Sequence, residues 1–516
     1  MKTNPSNFTF LSLIGLALCL VPFQYFPWIP GADVYDNQRL LITACGLLAA
    51  FMVMYSILMS VGATIDLGKN RSILLGSFLI AGVAASFLAF SPKHAFFETA
   101  TFALLLMLVW LVAERIRAQG DRALDRILLF CGMASAVYLI VHFGVFAYAL
   151  KTGIQPKSSH LFFGYNNIRF FNHVQTISLP LLGLFALRLD DPFRRFFWLA
   201  ITALWWALLY LSAGRGSLLG LASGILLTWF LLRHAAWPWV KCMFFAALAG
   251  MAVFLVLYVW LPRLRHLEPF SAFFSIAKRS VDNPTSSRWP LWERATDLMM
   301  GNPLFGVGPG HFAHYARDLN IAAHPHNWIF QIGSEWGIFA LIALCGLAFS
   351  GITSIVKIKH DGTAKDQFTQ SALLTASFAI IIDGLVSGLL VFPGSQLWFA
   401  VFLGIAWGWY SAKRPYEDSF RWVPTTGMRA IAIAVIGCCC VVIVYFIISQ
   451  LPAISMQSEI TSRETSEYFM PSVPIAMPSE IVGVPNTCAL PPAASIASIA
   501  ASVSFCSPEL QGVIVL

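Results

Sequence analysis

Apolar runs of about 16–23 residues recur along almost the whole chain, each long enough to cross a bilayer as a helix. Within lipid a backbone must satisfy its own hydrogen bonds, so such runs can only be helices packed side by side. Composition agrees: 58% of the residues are hydrophobic and 11% are charged, where a soluble domain carries roughly 25% charge. The runs predict spans at 8–26, 39–60, 72–90, 97–113, 127–149, 172–187, 196–212, 217–232, 242–261, 328–350, 368–391, 397–411 and 430–449. The first run has no small-residue cleavage site before Pro22 and reads as a span rather than a removable leader. The expected fold is an all-α polytopic membrane protein of about 12–13 transmembrane helices with one large loop on its outer side.

Charge orients these spans. Alternate loops are basic: 61–71, 114–126, 188–195, 233–241, 357–366 and 412–429. With Lys2, that side holds about 19 of the 33 Lys and Arg, against about 14 on the other, half of them in the single long loop. Long loops weigh little in the positive-inside rule, so the basic side is read as cytoplasmic. The loop 262–327, the loop 150–171 and the turn at Arg215 then share the outer face. The net charge of +8 follows from topology and is not a nucleic-acid signature.

Residues 1–450 read as one transmembrane unit, and 451–516 as a Pro/Ala/Ser-rich tail with little independent fold. Cys488 and Cys506 in that tail could pair in an oxidising compartment. Cys438, Cys439 and Cys440 lie within an apolar run, as small packing residues do. No CxxC pair exists, and no zinc or redox framework is expected.

Four polar sets converge on the outer side. Gly164-Tyr165-Asn166-Asn167-Ile168-Arg169 precedes Asn172, His173 and Gln175 at a span entrance; interfacial polarity accounts for most of it, with Arg169 the functional candidate. Ser212-Ala213-Gly214-Arg215-Gly216-Ser217 pins an arginine in a tight turn, where it either snorkels or binds an anion. Phosphate suits it, because guanidinium is bidentate and always charged. Ser287-Arg288-Trp289-Pro290-Leu291-Trp292-Glu293-Arg294 begins a short amphipathic helix, with Ser286 or Ser287 near its cap and the tryptophans at headgroup level. Arg288 is a second phosphate candidate, unless Glu293 or Asp297 claims it. The fourth set is His324-Pro325-His326-Asn327, where the long loop meets the next span.

His311, His314, His324 and His326 fall within sixteen residues. A metal site is one reading, but none is expected. A general base is the other: a neutral imidazole can take a hydroxyl proton, with Asn327 fixing its orientation. Spacing does not decide which histidine acts. Gly306-Val307-Gly308-Pro309-Gly310 lacks the strand and helix that flank a nucleotide loop. Asp383 is an intramembrane carboxylate, a candidate for function or for pairing with an arginine.

Ser212-Ala213-Gly214-Arg215-Gly216, Ser287-Arg288 with Trp292, Asn302-Pro303-Leu304-Phe305-Gly306-Val307-Gly308 with Phe312, and His324-Pro325-His326-Asn327 with Gln331 and Glu335-Trp336-Gly337 together resemble the O-antigen ligase and polymerase superfamily. The similarity runs from roughly 160 to 350, and the flanks agree in hydropathy alone. It implies a multi-pass glycosyltransferase of the bacterial inner membrane with one large periplasmic loop. It also implies transfer, without metal or other cofactor, from an undecaprenyl-diphosphate-linked glycan to an acceptor hydroxyl on the periplasmic face. Carried over by position, Arg215 and Arg288 would hold the diphosphate and His326 would be the base. Read from the residues themselves, Arg169 and Asn327 join His324 as candidates for binding substrate.

Lipid A-core is the first expected acceptor; a growing glycan (polymerase) and a protein serine (protein O-oligosaccharyltransferase) follow. A membrane transporter is the rival from another class. It would place polar residues along the bundle from both faces, whereas here they gather on one.

Overall fold

The computed structural model describes residues 5–23, 34–59, 67–156, 161–165, 167–358, 363–413 and 426–464. Among the described residues, thirteen long helices stand where the thirteen spans were expected: α1 (Pro5–Leu20), α2 (Val34–Leu58), α3 (Lys69–Leu88), α4 (Pro92–Gln119), α5 (Asp121–Thr152), α6 (Ile168–Arg188), α7 (Pro192–Ser212), α8 (Arg215–Leu232) and α9 (Trp237–Phe254) come first. The π-helical turn Leu255–Trp260 and the turn Leu261–Leu264 extend α9. The long loop folds into α10 (Ile276–Asp282), α11 (Trp289–Gly301) and the single turn α12 (Phe312–Tyr315). The chain then continues through α13 (Trp328–Val356), α14 (Ala364–Gly384), α15 (Pro393–Lys413) and α16 (Thr426–Glu464).

Nine helical segments among the described residues are long and apolar enough to cross a membrane. One of them, Arg215–Leu264, holds both α8 and α9. The chain is an all-α, multi-pass membrane protein. Helix α16 continues fifteen residues past the expected end of its span at 449, to Glu464; the rest of the tail, with Cys488 and Cys506, lies outside the described residues.

The bundle is organised around α4 and α6. Helix α4 packs on α2, α3, α15 and α16, while α6 packs on α5, α7, α14 and α15. Helix α6 is the most enclosed of the spans, so its polar residues Asn172, His173, Gln175, Thr176 and Ser178 are all buried. Helix α8 lies against α14 through Gly216, Gly220 and Gly224, a four-residue repeat of glycines. A Cβ at Gly220 would stand 2.7 Å from the Ala379 carbonyl oxygen, and one at Gly224 2.5 Å from that of Thr375. Small residues at this spacing let two membrane helices approach backbone to backbone.

The two ends of the bundle differ in chemistry. At one end ion pairs knit the basic loops together: Arg188 with Asp121 at 2.9 Å and Asp125 at 2.5 Å, Lys365 with Asp190 at 2.8 Å, and Lys413 with Asp366 at 2.7 Å. The loops poor in basic runs meet at the other end, around one cavity. The charge count along the sequence had separated the same two groups of loops.

Candidate functional site

The cavity measures about 680 Å³ and draws its lining from α2, α4, α6, α8, the long loop, α13 and the segment joining α14 to α15. All six residues expected to act at a site line it: Arg169, Arg215, Arg288, His324, His326 and Asn327. They are up to 158 positions apart in sequence, and each is set in place by a local feature of the chain.

Arg169 opens α6, whose cap is Asn167: the Asn167 side chain accepts from the Arg169 N–H at 2.9 Å. The Arg169 guanidinium donates to the Ala213 carbonyl at 3.1 Å. It thereby lies against the turn that carries Arg215, where Ala213 adopts a left-handed φ of 52°. Arg215, the first residue of α8, reaches across to the long loop. It donates to the Arg279 carbonyl at 3.0 Å and to the Ser286 hydroxyl. Ser286 and Ser287 are both left-handed (φ 52° and 60°), and Arg288 follows them directly. Arg169, Arg215, Arg279 and Arg288 all line the cavity.

Two expectations about this loop change. Pro290 does occupy the first turn of α11, but neither Ser286 nor Ser287 caps it; Arg288 holds the cap position without a side-chain bond. Their left-handed backbone turns the chain into α11 instead. Trp289 is exposed, whereas Trp292 turns inward. It stacks on Phe330 with ring centroids 6.0 Å apart and donates to the Pro325 carbonyl at 2.9 Å. That bond grips the peptide between the two histidines. Glu293 accepts from the Trp289 indole at 2.6 Å.

His324 is buried, and its ring lies 4.0 Å from that of His326, centroid to centroid. His326 has a φ of 54°, a left-handed conformation that is costly for a side chain of this size. Such strain, about 1–3 kcal/mol, tends to be kept where it aims a functional group. Asn327 does not orient the imidazole as expected. Its side chain caps α13, accepting from the Ile329 N–H at 2.9 Å and the Phe330 N–H at 3.4 Å. Both histidines titrate low. Burial first, then Arg288, pushes His324 down to about 3. Burial, then His324 and Arg288, holds His326 well below the usual imidazole range. Both are neutral at pH 7.

The other two histidines of the cluster have separate partners. His311 accepts from the Ser91 N–H at 3.0 Å, and its other ring nitrogen lies 2.9 Å from the Pro309 carbonyl oxygen. His314 stacks on Phe90 with centroids 4.4 Å apart. Glu335 pins the glycine-rich stretch, accepting from the N–H groups of Gly310 at 3.0 Å and Phe312 at 2.9 Å. Asp383 accepts from the hydroxyls of Thr176 at 2.6 Å and Ser217 at 3.1 Å, on the cavity wall.

Several lining residues carried no signal in the sequence. Phe392 follows a span and looks like ordinary packing, yet its ring stacks on Phe170 and His173 and meets His324 edge-on at 5.3 Å. Tyr35, Arg39 and Glu98 come from the first third of the chain, far from every motif. His173, read as interfacial polarity, is buried beside this group with an unpartnered Nδ1.

Residues 198–345 match the family model described as O-antigen ligase. No curated protein matches the chain. The matched stretch contains Arg215, Arg288, His324, His326 and Asn327, while Arg169 and Asp383 reach the same cavity from outside it. Over this segment the chain is similar to the O-antigen ligase family, and its bundle of apolar helices agrees with that likeness.

Proposed function

We propose that the protein transfers a glycan from an undecaprenyl-diphosphate-linked donor to an acceptor hydroxyl, with lipid A-core the first choice of acceptor. The reaction is assigned to the periplasmic face of the bacterial inner membrane. The observation that carries this reading is the convergence of Arg169, Arg215 and Arg288 with His324 and His326 on one cavity. An anionic leaving group and a proton acceptor are the two needs of glycosyl transfer from a diphosphate. The cavity offers guanidinium groups for the first and neutral imidazole for the second.

In this mechanism the acceptor oxygen attacks the anomeric carbon from the face opposite the diphosphate. The new C–O bond forms as the bond to the diphosphate breaks, and that electron pair leaves with the diphosphate. Arg215 and Arg288 stabilise the charge growing there. His326 takes the acceptor proton as the bond forms. One displacement inverts the anomeric centre, needs no covalent enzyme intermediate and routes no step through a metal. His324 and Asn327 hold substrate and frame the base, and Arg169 extends the anion site towards the Arg215 turn. Residues 1–450 are assigned the catalytic role.

The purified full-length chain in detergent, given lipid-linked glycan and lipid A-core without ATP or an ion gradient, is expected to yield glycan-bearing lipid A-core. Release of free diphosphate lipid should match product one for one. Absence of transfer to lipid A-core, to glycan and to protein acceptors alike, with donor moved across vesicles instead, would replace the enzyme by a transporter.

A further inference from the structure

We propose that the part of the cavity lined by Tyr35, Arg39, Glu98 and Gln396 is a carbohydrate subsite that grips a sugar ring by vicinal hydroxyls. The proposal deepens the transferase reading and rests on it. Arg39 is 4% exposed and forms an ion pair with Glu98. It also donates to the Tyr35 hydroxyl at 3.1 Å. A buried ion pair is weak evidence for stability, because desolvation offsets most of its attraction. Here the pair lies on the wall of a polar cavity and is incompletely satisfied: the Arg39 Nε is buried without a partner. Gln396, 5% exposed, donates to the Leu390 carbonyl at 2.9 Å, while its Oε1 is likewise unpartnered. Buried polar atoms left in this state are costly unless something else binds them.

The chemistry of the set selects its ligand. It presents a guanidinium donor, an amide acceptor, a carboxylate and a phenol. A diphosphate accepts hydrogen bonds and would be repelled by Glu98. A pyranose both donates and accepts through adjacent hydroxyls, which suits this mixture. Phe102, half-buried, also lines the cavity and offers apolar surface to the C–H face of a sugar. Gly310 keeps the space beside Glu98 open: a Cβ there would stand 2.9 Å from the Glu98 Cγ. One aromatic residue joins this subsite to the histidines. Phe392 meets Tyr35 edge-on at 6.1 Å and His324 at 5.3 Å. A ring seated at Arg39 and Glu98 thus belongs to a sugar adjoining the reacting centre, on either the acceptor or the donor.

The test uses the full-length chain in detergent and the variants Gln396→Ala, which leaves the ion pair intact, and Glu98→Gln, which keeps its shape. KM is measured separately for lipid A-core and for lipid-linked glycan. In parallel, delipidated core oligosaccharide and free glycan repeat are titrated against tryptophan fluorescence. Loss of one or two hydrogen bonds should raise one KM about fivefold or more, with a smaller change in kcat. A rise for lipid A-core assigns the subsite to the acceptor sugar, and a rise for the lipid-linked glycan assigns it to the donor. Both KM values unchanged in both variants, with only melting temperature lowered, would reduce the pair to a brace between α2 and α4. Saccharide binding that the variants lose, in a protein that transfers nothing, would keep the subsite and remove the transferase reading. Transfer with saccharide binding and both KM values untouched would do the reverse.

Discussion

His326 is neutral at pH 7 in the unliganded protein because burial and the nearby arginine charge oppose its imidazolium. A diphosphate bound at Arg288 would cancel part of that charge and raise the imidazole pKa towards the working range. The base would then be strengthened by the arrival of its donor. The sign follows: neutral imidazole is the active form, so rate falls as pH falls through its pKa. The acid limb of kcat, which reports the complex, should lie at higher pH than that of kcat/KM for the donor. Coincident limbs would mean that donor and base are not coupled. His326→Ala should lower kcat by about 10²–10⁴-fold, the usual share of a general base; normal turnover in that variant would remove the assignment. The motif around His326 was legible because imidazoles are conspicuous in so apolar a chain. The choice between His324 and His326 was not, since it depends on backbone angle and ring contacts that spacing does not encode.

Two elements hold the cavity together, and each can be broken by one substitution. The first is the interruption of α13 at Gly337 (φ 79°, ψ −178°), a conformation open essentially to glycine alone. There the helix gives up its own hydrogen bonds and pairs with the 303–308 stretch: Val307 N–H to Ser334 O at 2.8 Å, Gly308 N–H to Glu335 O at 2.9 Å, and Ile338 N–H to Pro303 O at 2.9 Å. A Cβ at Gly337 would come within 2.5 Å of the Phe305 nitrogen. Gly337→Ala should therefore cost about 2–4 kcal/mol from strain and overpacking together. A melting temperature in detergent equal to that of the parent would contradict this account. The second is Arg215, whose bonds to Arg279 and Ser286 clamp the α10–α11 segment over the cavity. Lysine keeps the charge and loses the fork. Arg215→Lys should raise the donor KM on the order of 10–100-fold, as expected for one or two charge-assisted bonds. It should also open the 276–288 segment to protease, and donor should deepen protection in the parent alone. Faster cleavage with an unchanged donor KM would make Arg215 a loop anchor only. The sequence had given Arg215 two readings, snorkelling or anion binding. The loop clamp was hidden because its partners are 64 and 71 residues away.

On the scale of the whole protein, a deletion strain separates the acceptors. Bare lipopolysaccharide core with accumulating lipid-linked polymer is the expected outcome for a ligase. Core bearing a single repeat would indicate a polymerase, and intact lipopolysaccharide with unglycosylated proteins a protein transferase. The helical bundle, the position of its spans and the division of its loops into two ends were all legible in the sequence. Lipid makes each span a predominantly apolar helix, and charge placement marks the loops, so both signals are local. The ordered run from Arg215 to Asn327 was legible for a related reason, since it falls in one stretch of chain. What only the tertiary structure decided is what meets that stretch. Arg169 and Asp383 arrive on α6 and α14, the latter through the glycine row of α8, and Tyr35, Arg39 and Glu98 arrive on α2 and α4. Helix–helix contacts in a membrane depend on which small surfaces fit together across the bundle. No periodicity or motif along a single helix states its neighbour.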